Sequence, residues 1–330
     1  MRFAWKVAEA LADGDFQSGQ TLAEHFGVSR TVIWRAVHAL ESTGLEIHSV
    51  KSRGYRLSAP VEWLDEDSIR RAVAEDAPLA RRDLMVMSET DSTNQRMLEK
   101  RPPPIGEMRV CCADYQSGGR GRRGRRWLSP PGAGLYLSAA WLFERQPRQL
   151  TALGLGAGLA VRRALLANGV PEVGLKWPND LTVGGRKLGG VLVELRAEGN
   201  GPAFVVVGVG VNCRIAPVMR EGIEAGGGLP VTDLAEVCGD EMPGRNVLAG
   251  SIIGELGRLL RDYEADGFEP WRAEWESADA LVGKFVRVEV GDGEMNGTAR
   301  GIDPEGALLV ETGSCLKRVI AGDVSVREQP

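Results

Sequence analysis

Five arginines fall within seven residues, Arg120, Arg122, Arg123, Arg125 and Arg126, interleaved with Gly121 and Gly124. Two readings of so dense a cationic run stand open. One is a solvated tail that holds RNA loosely; the other is an ordered loop whose backbone amides and guanidinium forks close on an anion. The flanks favour the loop. An apolar stretch, Met108 to Ala113, leads through Tyr115 and Gln116 into it, and Trp127-Leu128-Ser129-Pro130 leads out toward a second apolar stretch, Gly134 to Trp141. A loop hung between two strands commits the chain to a sheet with an anion site at one end. Without an anion the guanidinium groups repel one another, so partial disorder of the loop is expected. Forty Lys+Arg against 45 Asp+Glu give the whole chain a net charge of -5, which excludes a general polyanion binder and makes any cationic site local.

A length of 330 residues allows more than one domain. Residues 1–62 read as helices and a short ribbon, 63–280 as mixed α/β, and 281–330 as a small barrel, an α+β multidomain chain. In the middle part, strands are expected at Leu84 to Met87, Met108 to Ala113, Gly134 to Trp141, Gly174 to Trp177, Leu188 to Leu195 and Ala203 to Asn212, with helices at Leu150 to Asn168 and Asn246 to Asp266. Ile215 to Leu229 is glycine-rich and reads as a mobile loop. Beyond Val282, short strands alternate with Gly291-Asp292-Gly293, Asp303-Pro304-Glu305-Gly306 and Thr312-Gly313, the rhythm of a small barrel. The 43 glycines, about 13% against roughly 7% on average, must sit in turns and at close backbone approaches. Cys111, Cys112, Cys213, Cys238 and Cys315 match no disulfide or zinc spacing and read as small buried hydrophobes in a reducing compartment. The acidic residues near the start argue against a signal peptide, and Arg162 and Arg163 interrupt the best apolar run, Leu153 to Leu166, so a soluble cytoplasmic protein is expected.

The first part has the ingredients of a helix–turn–helix. Ser18 offers a cap, Ala23 lets two helices approach, Gly27 breaks the first helix, and Ser29 starts the next. With Ile33, Val37 and Leu40 facing inward, Arg30, Thr31, Trp34, Arg35 and His38 face out, where a major groove admits such a helix. Lys51, Arg53 and Arg56 tip a following hairpin that would lie on phosphates as a wing. The competing reading is a protein-interaction module, and Trp34 suits either groove contact or packing on a neighbouring domain. His25, His38 and His48 have no ligand spacing.

Further polar strings sit at expected strand ends. Asp91-Ser92-Thr93-Asn94 suits a helix cap or recognition of a small polar group. Lys176-Trp177-Pro178-Asn179-Asp180 suits a turn, or phosphate and metal chemistry. Arg186-Lys187-Leu188-Gly189-Gly190 would set an ammonium at a sheet end, with glycines leaving room beside it; Gly208, Gly210 and Asn212 end another strand in the same way. Together they gather cations and amides where a sheet-based site is commonly built.

These motifs, in this order, resemble bacterial biotin protein ligase, the bifunctional enzyme that is also the biotin operon repressor. The resemblance runs nearly end to end. It implies a winged helix–turn–helix, a central catalytic domain resembling class II aminoacyl-tRNA synthetases, and a C-terminal SH3-like barrel. It implies ATP-dependent formation of biotinyl-AMP and transfer of biotin to a lysine of a biotin carboxyl carrier protein, a subunit of acetyl-CoA carboxylase. Carried over residue by residue, Lys187, Arg122, Arg125, Asn179 and Asp180 are catalytic. Ser92, Thr93, Asn94, Gln116, Gly119, Arg120, Gly121, Arg122, Lys187 and Gly190 bind biotin. Arg122, Arg123, Arg125, Lys176, Lys187 and Asn212 bind ATP or the adenylate, with Mg2+ on the phosphates and no protein-only metal site. Arg30, Thr31, Trp34, Arg35, Lys51 and Arg53 meet operator DNA, and the adenylate-bound chain forms a homodimer. One departure stands out: repressor-type relatives carry a tryptophan in the loop after the Gly-x-Gly-x-Asn strand, whereas Cys213 to Leu229 holds none, leaving Val218, Met219 or Ile223 as the cover. The alternatives are a regulator that senses a nucleotide-linked small molecule without catalysis, and an RNA-binding protein built on the arginine loop.

Overall fold

Apolar residues at helical spacing close the first core. α1 (Arg2–Ala10) buries Ala4, Trp5, Val7 and Ala8. Ser18 caps α2 (Gly19–Phe26) by accepting from the Thr21 amide at 2.9 Å, and Gly27, at φ +63°, ends it in a left-handed turn that glycine takes without strain. The chain then enters α3 (Arg30–Glu41), whose Ile33, Ala36, Val37 and Leu40 join the same core. Ser29 stands before α3 without making the cap bond its residue type suggests. β1 (Ile47–Val50) and β2 (Gly54–Leu57) form the antiparallel wing, with Gln17 bridging Tyr55 beside them. A Cβ on Gly54 would lie 2.0 Å from the Gln17 carbonyl oxygen, so only glycine lets the wing close on that bridge. This is the expected winged helix–turn–helix.

The computed structural model describes residues 1–330 except 200, 226–229, 291–292, 314, 321–323 and 329–330. The central part runs α4 (Glu66–Ala72), capped by Asp65, then β3 (Leu79–Thr90), α5 (Thr93–Leu98), β4 (Met108–Gln116), β5 (Gly134–Phe143), α6 (Leu153–Ala167), β6 (Gly174–Lys176), β7 (Asp180–Val183), β8 (Arg186–Ala197), β9 (Ala203–Asn212), α7 (Pro217–Ala225), α8 (Leu234–Cys238), α9 (Arg245–Asp266) and α10 (Glu269–Ser277). Its strands form one seven-stranded sheet, order β3-β4-β5-β9-β8-β7-β6, parallel only at β3–β4. α6 and α9 cover one face, packing on Leu135, Leu137, Ala139 and Trp141 of β5 and Val205, Val207, Val209 and Val211 of β9. Cys111 and Cys112 face opposite sides of β4 as strand alternation requires, and burial pushes the Cys111 thiol up to about 12. Cys315 departs from the buried expectation and is exposed.

Local readings need correction or addition. Ile215 to Leu229 contains α7, because Met219 and Ile223 recur at i and i+4 behind Pro217 while the glycine run follows the helix; Gly226 to Leu229 lie outside the described residues. The turn expected at Pro178-Asn179-Asp180 is present at Trp177-Pro178-Asn179, while the short strand β7 that begins at Asp180 and the helix α10 were not anticipated. Finally, Pro147–Ala167 is apolar and long enough to cross a membrane by composition, but 67% of that window is buried within the protein, as in a core helix.

β10 (Phe285–Val290), β11 (Gly293–Ile302), β12 (Leu308–Thr312), β13 (Cys315–Val319) and β14 (Val324–Glu328) make a five-stranded antiparallel sheet, order β13-β12-β11-β10-β14; the expected turn residues Gly291 and Asp292 lie outside the described residues. Trp177 Nε1 donates to the Gly306 carbonyl at 2.9 Å, tying this sheet to the central one.

The N-terminal part docks through Trp5, whose Nε1 donates to Glu89 Oε2 at 2.8 Å beside Trp63 and Tyr115. The connector is held by Arg245, which donates to Asp114 Oδ1 (2.9 Å), the Glu62 carbonyl (2.6 Å) and the Gly134 carbonyl (2.8 Å). Both charged groups are buried, and burial raises the Asp114 carboxyl above its ordinary range against the pull of Arg245. Arg245→Met should therefore strand a buried carboxylate and lower the unfolding free energy by about 3–5 kcal/mol in urea titrations near pH 8. Protonation removes that charge from the folded state, so the deficit should narrow as pH falls toward about 5. A loss under about 1 kcal/mol would show that the pair carries little.

Candidate functional site

The site begins with the second face of β9. Phe204 and Val206 on that face are covered by Met97 and Leu98 of α5. The next residues in the alternation are Gly208, Gly210 and Asn212, and over them opens a cavity of about 640 Å³. The glycines make room for other side chains: a Cβ on Gly208 would lie 2.2 Å from Asn94 Oδ1, and one on Gly210 would lie 2.6 Å from the Trp127 ring.

The polar string before α5 forms one network with neighbouring strands. Ser92 is the cap, accepting from the Gln95 amide at 3.4 Å. Gln116 Oε1 accepts from the Thr93 amide and hydroxyl at 2.8 and 3.1 Å, and Gln116 Nε2 donates to Ser129 at 2.9 Å. Ser138 lies within 2.7 Å of Thr93 Oγ1 and 2.5 Å of Asn94 Oδ1, while Asn94 Nδ2 donates to Glu194 at 2.8 Å. Arg120 reaches Glu194 at 3.2 Å and Gln95 at 3.3 Å. This is a pre-formed polar wall.

The arginine loop is folded, against the expectation of partial disorder. Gly121 N donates to the Arg125 carbonyl at 2.7 Å and Trp127 N to the Gly119 carbonyl at 2.9 Å, so the backbone closes on itself. Arg123, Arg125 and Arg126 are exposed, which lets water screen their repulsion. Arg123 sits at φ +57°, an unusual conformation for a non-glycine residue and a mark of local strain. Gly119 does not line the cavity; it lies in a cramped turn where a Cβ would meet the Trp127 carbonyl at 2.4 Å.

Across the cavity, Lys187 Nζ pairs with Asp180 Oδ1 at 2.5 Å and stands 5.4 Å from the centre of the Trp127 ring. Its backbone is fixed as well: Asn212 Nδ2 donates to the Lys187 carbonyl (3.4 Å) and the Thr232 carbonyl (3.0 Å). Asn179 Nδ2 donates to the Val191 carbonyl at 2.8 Å, locking the Trp177-Pro178-Asn179 turn, which contains a cis Trp177–Pro178 bond, to β8. Lys176, Arg122, Arg125, Gly121 and Gly190 also line the cavity. Ile223 of α7 borders it, whereas Met219 faces a second cleft and the Val218 side chain lies outside what is described. α7 is pinned by Arg220 to Asp233 (3.0 Å) and to Glu236. Glu236 also meets Arg186 at 2.6 Å, and these two arginines lower its carboxyl to about 2. Among the described residues no three His, Cys, Asp or Glu groups gather as a metal site.

Sequence reasoning missed Trp127, Lys284 and Thr182 as cavity residues. The first was signalled by its place at the exit of the arginine loop. Lys284 comes from the segment before the C-terminal sheet, and nothing local announced it. On the N-terminal part, Arg30, Thr31, Trp34, Arg35, His38, Lys51 and Arg53 are all exposed, while Arg53 and Arg56 stack on Phe16 at 4.1 and 5.1 Å.

Fold and site together define a class. Residues 86–212 match the model of the biotin/lipoate A/B protein ligase family, residues 7–56 an HTH domain, and residues 281–327 the biotin protein ligase C-terminal domain. The chain is 37% identical to the bifunctional ligase/repressor BirA of Salmonella typhimurium, with 96% of this chain and 95% of that one aligned. It is 36% identical to BirA of Escherichia coli over 98% and 96%. The biotin protein ligase of Aquifex aeolicus, solved with biotin and ATP, superposes with TM-score 0.62 at 29% identity, covering 75% of this chain and 99% of that one. The chain belongs to the bifunctional ligase/repressor family of biotin protein ligases.

The packing beneath the cavity makes a stability prediction. Gly208→Ala must drive the Asn94 amide out of its network, so a loss of about 1–3 kcal/mol is expected in thermal or urea unfolding. Wild-type stability in that variant would show that Asn94 can move at no cost.

Proposed function

We propose that this chain is an ATP-dependent biotin protein ligase that also represses transcription, and that its cavity joins biotin to AMP before handing biotin to a carrier lysine. The observation that carries the reading is convergence: Lys187, Lys176, Arg122 and Arg125 line one cavity whose other wall is the Thr93–Gln116–Asn94 network. In the first step a biotin carboxylate oxygen attacks the α-phosphorus of ATP, and the bond to pyrophosphate breaks, pyrophosphate leaving with the electron pair. Two anions must meet, so cations that neutralise the developing charge lower the barrier. Lys187, aimed by Asp180, serves the carboxylate and α-phosphate; Arg122 and Arg125 serve the phosphates.

Ser92, Thr93, Asn94, Gln116, Arg120, Gly121 and Gly190 form the biotin pocket, the side-chain groups exchanging internal partners for the ureido ring and carboxylate, while Gly119 lets the turn behind them close. Arg123, Lys176 and Asn212 complete the nucleotide side. Mg2+ would arrive on the triphosphate, since no carboxylate cage for it exists among the described residues. In the second step the amine of the carrier lysine attacks the acyl carbon, AMP leaves, and Asp180 takes the amine proton while Asn179 shapes the approach. Ile223 on the pinned helix α7 shields the mixed anhydride from water, in place of an aromatic cover. The acceptor is a biotin carboxyl carrier protein of the acetyl-CoA carboxylase type, and the free cysteines suit the cytoplasm. With adenylate bound, two copies pair and set their α3 helices on a palindromic operator, with Arg30, Thr31, Trp34, Arg35, Lys51 and Arg53 at the duplex.

Pyrophosphate release with biotin and ATP tests the reaction. Lys187→Ala should slow single-turnover adenylation by about 100- to 1,000-fold while the protein stays folded. Unchanged turnover removes Lys187 from this scheme, and a wild-type chain with no biotin-dependent release overturns the ligase reading. For the duplex, Arg35→Ala should weaken operator binding and flatten its salt dependence by about one unit of log–log slope. An unaltered slope in fluorescence-anisotropy titrations would take Arg35 off the DNA.

A further inference from the structure

Trp34 has no task in the fold that contains it. The core beneath α3 is closed by Ile33, Ala36, Val37 and Leu40. The contact with the central sheet is made by Trp5, Trp63 and Tyr115. Yet Trp34 stands in the middle of α3 with 52% of its surface exposed. Its ring is held in place on the helix: the His38 imidazole meets it edge-on with centroids 4.2 Å apart, and His38 Nδ1 lies 2.7 Å from Glu41 Oε2. An ordered apolar ring in open water, one turn after Arg30 and beside Thr31 and Arg35, is a surface prepared for a partner.

Charge complementarity identifies that partner as a duplex, since exposed Arg30 and Arg35 share the helix with Trp34 and exposed Lys51 and Arg53 tip the adjoining wing. Within a major groove, the edges of guanine, cytosine and adenine present mostly donors and acceptors, against which an indole offers a single Nε1–H donor and an otherwise apolar ring. Thymine alone adds an apolar group, the C5 methyl, and apolar side chains read it. We infer that Trp34 is a base-reading residue whose ring packs on a thymine methyl, so that each half-site carries a thymine at one fixed position. This rests on the repressor reading above and adds to it the chemistry by which sequence is selected.

The test uses the full-length chain with biotin and ATP. A preferred duplex is selected from a randomised pool and remade with deoxyuridine in place of each thymine in turn, which removes only the methyl. At one thymine per half-site, wild-type affinity should fall about three- to tenfold. Trp34→Ala should bind the parent duplex about tenfold more weakly and be indifferent to deoxyuridine at that position, while Trp34→Phe retains part of the discrimination. A far-ultraviolet circular dichroism spectrum and thermal midpoint of Trp34→Ala matching wild type would report an intact domain. If no thymine responds to loss of its methyl, or if Trp34→Ala responds as strongly as wild type, the inference is overturned while operator binding stands. If the wild-type chain enriches no sequence, the repressor reading falls and takes this assignment with it.

Discussion

A strand has a side-chain period of two, and β9 uses that period to be two surfaces at once. From Val205 to Val211 the odd positions are valine and lie against α6 and α9; the even positions 208 and 210 are glycine. The first set fixes the strand in the middle of the sheet. The second admits the Asn94 amide and the Trp127 ring, which could not approach any other residue type so closely. A shift of one residue would bury glycines in the core and fill the cavity with valine, so register is specified by both faces. The central position of β9, between β5 and β8, then sets Ser138 on one side of it and Lys187 on the other, Ser138 holding the Thr93 and Asn94 side chains that line the cavity with Lys187.

The cations of this cavity are positioned before any anion arrives. Asp180 aims Lys187, Glu194 holds Arg120, and Asn212 fixes the backbone of Lys187. Organisation in advance is what makes charged groups effective, because little reorganisation remains when charge develops. It also explains how a chain with an acidic balance carries a cationic site: the carboxylates that dominate the net charge are in part the supports of the cations.

Much of this was legible from residues alone. The strand ends, the helix–turn–helix and the C-terminal strands each carry local signals, namely alternation, caps and turn residues. Nearly all the site residues proposed from the motifs line one cavity, because motifs at strand ends of one sheet converge by topology. What escaped was of two kinds. Lys284 reaches the cavity from more than ninety residues beyond Lys187, and no local pattern encodes such a meeting. Helix α7 was hidden because its apolar residues are few and a glycine run follows, so composition outweighed a period that Met219 and Ile223 do carry. The packing role of Gly208 and Gly210 was invisible for a related reason: a sequence shows where a side chain is missing, and only the fold shows what fills the space.

The connector between the first two parts is a strut. Glu62 and Trp63 are bound by Arg245 and Asn246, and Trp5 is bonded to the end of β3. A flexible tether would let a recognition helix search for its partner sequence, whereas a strut makes its orientation a property of the sheet behind it. If two such chains pair as proposed, the separation of the two α3 helices would be a length built into the protein. One base pair inserted between half-sites would turn the second by roughly 35° about the duplex axis, and the strut leaves no slack to follow. Such a pair would be a ruler, its graduation set by a buried arginine far from any base.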